Sequence, residues 1–181
     1  STLFPYTTLF RSCPAKGEEV TTKTLPCDIV CELAHQKAFE IAKAQKAPCY
    51  VIGADTIVAF ENRILGKPKD SADAVRMVSM LQGSTHQVYT GVTLIEVCAD
   101  GSLREKSFYE ETNVHVCQMT KDEIASYVAT GEPLDKAGAY GIQGTFSIYV
   151  SGIEGDYFNV VGLPVSRLYH EFAAFQNASR K

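Results

Sequence analysis

The sequence lacks several features that would assign it to a familiar class. No apolar run approaches the roughly 20 residues that a helix needs to cross a bilayer, which argues against a transmembrane protein. No C-x-x-C pair occurs among the six cysteines, so a structural zinc site is not expected. Basic residues are not in excess, because 17 Lys and Arg stand against 21 Asp and Glu. This balance argues against a nucleic-acid backbone as the main partner, although a local basic pocket for a small anion remains compatible with it.

The composition that is present is that of an ordinary globular domain. The chain has 181 residues, of which 45% are hydrophobic and 21% are charged. That length is enough to bury a core without disulfide or metal cross-links. The cysteines are therefore interpreted as free thiols packed as small apolar groups, which indicates a reducing compartment and a cytoplasmic protein.

The first twelve residues differ in character from the rest of the chain. They lack the basic region and the long apolar stretch of a signal peptide. Residues 2–12 match, residue for residue, a translation of a common sequencing adapter. We therefore predict that residues 1–12 are a non-native segment and that residues 13–181 form a single domain. The alternative is a genuine N-terminal strand, because the segment is rich in strand-compatible side chains.

The hydrophobic pattern of the remaining chain predicts alternating helices and strands around one mixed sheet, an α/β protein. The predicted helices are capped by Asp28, Ser71 and Thr120 and end near Ala44, Met80 and Gly131, with a last helix opened by Pro164. The predicted strands are Cys49–Phe60, Arg63–Leu65, a hairpin of His86–Val97 with Leu103–Gln118, and a strand–turn–strand over Tyr149–Val161.

Three segments carry residues suited to chemistry. Asp55 lies inside an apolar strand, where a carboxylate is unfavourable unless it is paired or binds a cation, and Gly53 leaves room for a ligand or another backbone. Lys67 stands in a Gly-Lys-Pro turn that does not have the spacing of a Walker loop. The run 135–144 combines three glycines, the cation Lys136 and the amide of Gln143, which can both donate to and accept from a base edge.

Each of these segments has a plainer interpretation when taken alone. Asp55 could be satisfied by local backbone donors, the Gly-Lys-Pro turn could be a surface turn, and the glycine-rich run could be a tight structural loop. Lys37, on the first helix, would be a solvated lysine. Taken together, however, carboxylates and lysines in glycine-rich loops suit a polyphosphate with a divalent cation, because carboxylates hold metal and activate water while lysines neutralise phosphate charge.

The order and spacing of five motifs resemble the Maf family of nucleoside triphosphate pyrophosphatases. The resemblance covers roughly residues 17–172. The matching motifs are VIGADTIV at 51–58, GKP at 66–68, HQVYTGV at 86–92, GEPLDKAGAYGIQG at 131–144 and GDYFNVVGLP at 155–164. In animals a similar domain is fused to an O-methyltransferase-like domain.

The resemblance implies hydrolysis of a nucleoside triphosphate to its monophosphate and pyrophosphate with a divalent metal, Mg or Mn. Asp55 matches the general base that activates water for attack on the α-phosphorus. The form of the 135–144 run resembles members that prefer dTTP and UTP over 7-methylguanosine triphosphate. The family also tends towards homodimers. The candidate substrate-binding residues are Thr56 and Gln143 for the base and Lys37, Lys67 and Lys136 for phosphate, and the candidate metal ligands are Asp55 and Glu19, with Glu18 as a poorer match.

Two departures from the family pattern leave a second function open. The family opens with a strand and an S-x-S-P-R-R loop whose arginines grip the phosphates, and residues 1–12 stand where that segment belongs. A Thr-Phe-Ser stretch at 145–147 also replaces a region that is usually richer in glycine. The alternative function is therefore a non-catalytic nucleotide-binding or regulatory module, since an arginine loop for the phosphates is missing.

Overall fold

The structure is a computed structural model that describes residues 13–17, 20–46, 48–61 and 63–178. The predictions for residues 1–12 and for Glu19 lie outside these described residues. The helices are α1 (Pro26–Lys43), α2 (Ser71–Leu81), α3 (Lys121–Ala129), α4 (Tyr157–Val161) and α5 (Val165–Ala178). The strands are β1 (Cys49–Phe60), β2 (Arg63–Leu65), β3 (Thr85–Val97), β4 (Leu103–Val116) and β5 (Val150–Glu154).

The five strands form one sheet in the order β2-β1-β3-β4-β5, which confirms the predicted α/β class. All pairings among these described strands are antiparallel, so they do not include the parallel neighbours that a mixed sheet would have. The long β3–β4 hairpin turns at Asp100, whose side chain accepts from the backbone N–H of Ser102, as the turn residues predict.

Helix α1 packs on one face of the sheet. Its apolar side contacts odd-numbered residues of the central strands, for example Val30 and Leu33 against Ile57. The opposite face carries two separate clusters. One gathers Val58 and Val88 with α2, α3 and the 132–149 loops, and the other joins Ala54, Val92, Leu94 and Phe108 to α5. Along β1, Thr56 lies between these two clusters, because side chains alternate between faces.

Three local predictions are wrong, and each concerns the first turn of a helix. Helix α1 begins at Pro26 rather than after a cap at Asp28, because proline is tolerated in the first turn. The cap of α2 is Asp70, which accepts from the N–H of Asp73, rather than Ser71. The second half of the expected strand–turn–strand is helix α4, whose first turn is capped by Asp156. The capping box of Thr120 and Glu123 is confirmed.

In the described part of the chain, no helix is both long and apolar enough to cross a membrane. All six cysteines are free thiols, as predicted.

Candidate active site

A cavity of about 340 Å³ opens on the sheet face opposite α1. Its volume lies within the range of small-molecule pockets. Four residues singled out from the sequence line it together: Thr56, Lys67, Lys136 and Gln143. The rest of the wall consists of Val58 and Val88 from the sheet, Val160–Gly162 of α4 and its end, and residues 137, 140–142 and 144 of the glycine-rich run.

Three segments of the chain bring these side chains to one place. Strand β1 supplies Thr56, the turn after β2 supplies Lys67, and the run 135–144 supplies Lys136 and Gln143. The two lysine-bearing loops are tied together, because the N–H of Gly138 donates to the carbonyl of Gly66 over 3.1 Å. Gly138 has a φ of +69°, and a Cβ there would approach Val58 to 2.9 Å. Only glycine meets both requirements comfortably.

Glu132 holds the glycine-rich run in shape and was not anticipated from the sequence. Its carboxylate accepts from the backbone N–H and the hydroxyl of Thr145 at 2.8 and 2.7 Å and from the hydroxyl of Tyr127 at 3.2 Å. Burial favours the neutral acid, but these hydrogen bonds outweigh it and lower the pKa of Glu132. The charged carboxylate therefore pins both ends of the loop that carries Lys136 and Gln143.

The mouth of the cavity is positively charged. Lys67 is exposed, and Lys136 is paired to Asp135 over 2.7 Å at a site open to solvent. The hydrogen bond from Lys136, then the charges of Lys136 and Lys67, lower the pKa of Asp135. Exposed pairs of this kind exchange partners at little cost, so a phosphate group can replace the Asp135 carboxylate.

Asp55 and Lys37 lie on the other face of the sheet, towards α1. The Lys37 Nζ and Asp55 Oδ1 are 2.5 Å apart, and the exposed fractions of the two side chains are 28% and 10%. A carboxylate this buried needs compensation, and the ammonium of Lys37 supplies it. Lys37 is therefore not a solvated lysine.

Two glycines make this pairing feasible by letting α1 approach the sheet closely. A Cβ at Gly53 would lie 2.5 Å from the carbonyl oxygen of Ala34, and a Cβ at Gly91 would collide with the carbonyl of Val30. Gly91 is the cross-strand partner of Asp55. The room left by Gly53 is thus taken by another backbone, that of α1, rather than by a ligand.

Strand β1 separates the two groups of predicted residues. Asp55 faces α1 while Thr56 faces the cavity, as expected for neighbouring residues of a regular strand. The described strands pair the outer edge of β1 only with β2, over Val58–Phe60. In the described part of the chain, this outer edge is where a ligand can reach both Asp55 and the cavity residues.

The described residues offer few ligands for a metal. Among the described residues, no group of three or more His, Cys, Asp or Glu side chains could hold a metal ion. Mg²⁺ does not need such a group, because it keeps several waters and is usually bound by one or two carboxylates and substrate phosphates. Asp55 fits that pattern, and Glu19 lies outside the described residues.

A buried chain of hydrogen bonds lies behind Thr56. The hydroxyl oxygens of Thr56 and Thr90 are 2.9 Å apart, and the Thr90 hydroxyl donates to the carbonyl of Asn159 over 2.9 Å. Thr90 and Asn159 are fully buried. Both side chains are uncharged, so residue type alone did not point to them. They lie within two of the five matched motifs, at 86–92 and 155–164.

A second buried pair supports the cavity wall. His86 Nε2 and the Tyr140 hydroxyl are 2.7 Å apart. Burial lowers the pKa of His86 to about 4, helped by the charge of His115, so this imidazole is neutral near pH 7. The His86 Nδ1 has no hydrogen-bond partner among the described residues.

A larger, open depression of about 550 Å³ lies between β4 and α5, lined by Glu110, Arg167 and Glu171 among others. None of the residues predicted to bind substrate or metal lines it.

Comparisons with known proteins identify relatives of this chain. A family model described as Maf-like protein matches residues 5–175. The chain is 53% identical over 174 residues to the dTTP/UTP pyrophosphatase of Agathobacter rectalis, covering 90% of this chain and 85% of that protein. It is 48% identical over 166 residues to the protein of the same name from Lachnoclostridium phytofermentans, covering 92% and 84%. A third relative with that name, from Bacillus cytotoxicus, is 48% identical over 164 residues, covering 90% and 82%.

Proposed function

The chain belongs to the Maf family, and we propose that it hydrolyses dTTP, UTP and related pyrimidine nucleoside triphosphates to the monophosphate and pyrophosphate. The observation that carries the proposal is the convergence of Thr56, Lys67, Lys136 and Gln143, from three separate segments, on one cavity. That cavity combines the two things a nucleotide needs, which are hydrogen-bonding groups for a base and cations for phosphates.

Recognition is assigned to the cavity face of the sheet. Thr56 and Gln143 offer a hydroxyl and an amide to the base edge, and Val58 and Val88 supply an apolar wall beside them. Lys67 and Lys136 stand where they can neutralise the phosphate chain. Because the solvent-exposed pair of Lys136 with Asp135 contributes little stability and a triphosphate carries several charged oxygens, Lys136 exchanges Asp135 for substrate.

The chemical step is assigned to the α1 face. Asp55 acts as the general base that takes a proton from the attacking water, and Lys37, 2.5 Å from the carboxylate, keeps that carboxylate in place. Lys37 also offers a positive charge to the phosphate chain. The nucleotide reaches Asp55 by passing the outer edge of β1.

A divalent cation, Mg²⁺ or Mn²⁺, is proposed as the cofactor, held by Asp55 and, from the sequence resemblance, by Glu19. Bound there, it would neutralise phosphate charge and polarise the phosphorus under attack. A cytoplasmic location and a homodimer also remain proposals from composition and resemblance, as does similarity to the animal domain fused to an O-methyltransferase-like domain.

The direct test is a substrate panel with separate detection of pyrophosphate and orthophosphate. Purified protein is given dTTP, UTP, CTP, GTP or 7-methylguanosine triphosphate with Mg²⁺ or Mn²⁺. We expect pyrophosphate release, fastest with dTTP and UTP. Release of orthophosphate alone would contradict the proposal.

The panel should also be run on a chain whose first twelve residues are replaced by the N-terminal segment of the Agathobacter rectalis relative. That chain separates a defect at the N-terminus from the absence of catalysis. Nucleotide binding without turnover in both chains would favour the non-catalytic binding module instead.

A further inference from the structure

The protons of the buried hydroxyl chain behind Thr56 can be assigned without ambiguity. The Thr90 hydroxyl lies 2.9 Å from the carbonyl oxygen of Asn159. A carbonyl oxygen has no proton, so the single proton of the Thr90 hydroxyl must be donated to it. Thr90 can then only accept from Thr56, 2.9 Å away. The Thr56 proton is therefore committed to Thr90.

The Asn159 backbone carbonyl fixes the direction of the chain, because it can only accept, and it also accepts from the N–H of Gly162 over 3.0 Å. The side chain of Asn159 holds the residue in place through a separate network, in which its two amide protons are donated to the carbonyl of Val88 and to the Thr112 hydroxyl, each over 3.0 Å. The Thr112 hydroxyl donates in turn to the carbonyl of Asp156 over 3.0 Å. Reversing the Thr56–Thr90 bond would leave two acceptor oxygens facing each other in a buried site, which is strongly unfavourable.

We infer that Thr90 is a positioning residue that makes the Thr56 hydroxyl an acceptor only, so that the cavity selects bases presenting a ring N–H donor at this point. Thr56 and Thr90 are direct cross-strand partners on β1 and β3, which holds the two hydroxyls in register. The inference rests on the proposed function only in taking a nucleotide base as the occupant of the cavity.

This polarity separates pyrimidines that have nearly the same shape. Uracil and thymine carry a proton on N3, whereas N3 of cytosine is an acceptor. An N3–H meets the lone pairs of Thr56, while the cytosine N3 would face them without a proton between. A Thr56 hydroxyl whose proton was not donated to Thr90 could instead accept from uracil or donate to cytosine. Selectivity thus depends on Thr90, which need not touch the substrate.

The test compares three variants by the ratio of kcat/KM for UTP to that for CTP. Thr90→Val keeps the shape but removes the acceptor, so the Thr56 proton becomes available to cytosine, and we expect the ratio to fall about tenfold. Thr90→Ser restores the hydroxyl and should restore the ratio. Thr93→Val is the matched control, because Thr93 is a fully buried threonine of β3 whose hydroxyl pairs with Ser107 instead.

A ligand experiment on the unaltered chain covers the case in which Thr90→Val does not fold. UTP methylated at N3 lacks the proposed donor, and UTP methylated at C5 has the same added volume elsewhere. We expect the N3-methyl nucleotide to bind at least about tenfold more weakly than the C5-methyl nucleotide. Equal binding of the two nucleotides would overturn the inference.

Measuring binding beside turnover separates this inference from the proposed function. If no nucleotide is hydrolysed but the preference for UTP over CTP in binding is lost in Thr90→Val, the proposed hydrolysis fails and the inference stands. If hydrolysis is normal and Thr90→Val keeps the unaltered ratio, the inference fails and the hydrolysis stands. An unaltered chain that binds UTP and CTP equally also overturns the inference.

Discussion

The two faces of strand β1 are built in opposite ways. On the α1 side, Gly53 and Gly91 let a helix backbone come into contact with the sheet, and the buried charges of Asp55 and Lys37 face each other. On the other side, Thr56 opens on a cavity of about 340 Å³ with lysines at its mouth. One face is closely packed around a charged pair, and the other leaves a cavity between two apolar clusters.

The difference suggests a division of labour between adjacent residues. A regular strand sends successive side chains to opposite faces, so Asp55 and Thr56 have separate surroundings although they are neighbours in sequence. A carboxylate that takes a proton from water benefits from a fixed position, which the close packing of α1 provides. A hydroxyl that recognises a nucleobase, such as that of Thr56, needs to be accessible to the ligand, and the cavity provides that access.

The largest effect is expected from removing the carboxylate on the packed face. Asp55→Asn should lower kcat for dTTP and UTP roughly a thousandfold, the usual contribution of a general base, while nucleotide binding changes far less. Pyrophosphate release and calorimetric binding measure the two quantities. Asp122→Asn, an exposed aspartate in the first turn of α3, is the control. Retained turnover in Asp55→Asn would remove this residue as the base.

The free energy of unfolding should depend on pH through His86, which lies behind the cavity wall. The pKa of His86 falls from 6.5 to about 4 on folding, so the unfolded chain binds more protons between these values. The contribution of neutral His86 to the free energy of unfolding is then fully present above pH 6.5. It is lost as pH falls towards 4, by up to about 3 kcal/mol. Urea unfolding at several pH values measures this slope, and His86→Gln should flatten it.

The control for this slope is His170→Gln, because His170 is an exposed histidine of α5. An unchanged slope in His86→Gln would show that the buried imidazole is not the group responsible.

A smaller effect tests the close packing on the α1 face. Gly53→Ala places a methyl group 2.5 Å from the Ala34 carbonyl and 2.8 Å from Ala38. We expect a loss of about 1–3 kcal/mol in the free energy of unfolding, together with lower kcat as α1 and Lys37 move away. Gly66→Ala is the matched control, because a Cβ there meets nothing within 4 Å. Equal stability of the two variants would contradict the packing argument.

The smallest effect concerns the charged mouth of the cavity. Lys67→Gln and Lys136→Gln should each raise KM about tenfold with little change in kcat, since each removes one charge-assisted contact to phosphate. The increase should shrink as salt is added, because these side chains are exposed. Lys121→Gln on α3 should leave KM unchanged. A pure kcat defect would place these lysines in the chemical step instead.

The sequence was informative where residue type and motif coincide. Strand β1 has the predicted bounds, and the residue types in the Gly-Lys-Pro turn and the 135–144 run led to side chains that share one cavity. The capping box of α3 is equally local, since both partners lie within one turn.

The sequence was silent where function depends on register or on contacts distant along the chain. The pairing of Lys37 with Asp55 depends on Gly53 and Gly91, which let α1 pack closely on the sheet. Thr90 and Asn159 are uncharged, and their link to Thr56 requires the pairing of β1 with β3 and the packing of α4. The five residues of α4 were predicted as a strand from their apolar pattern. The cap at Asp156 favours a helix there instead.

In the proposed reaction, water activated by Asp55 on the packed face attacks the α-phosphorus of a nucleotide whose base is held on the open face. Hydrolysis of UTP in ¹⁸O-labelled water, followed by mass spectrometry of the products, tests this directly. We expect labelled uridine monophosphate and unlabelled pyrophosphate. Label in pyrophosphate, or formation of uridine diphosphate with labelled orthophosphate, would contradict it.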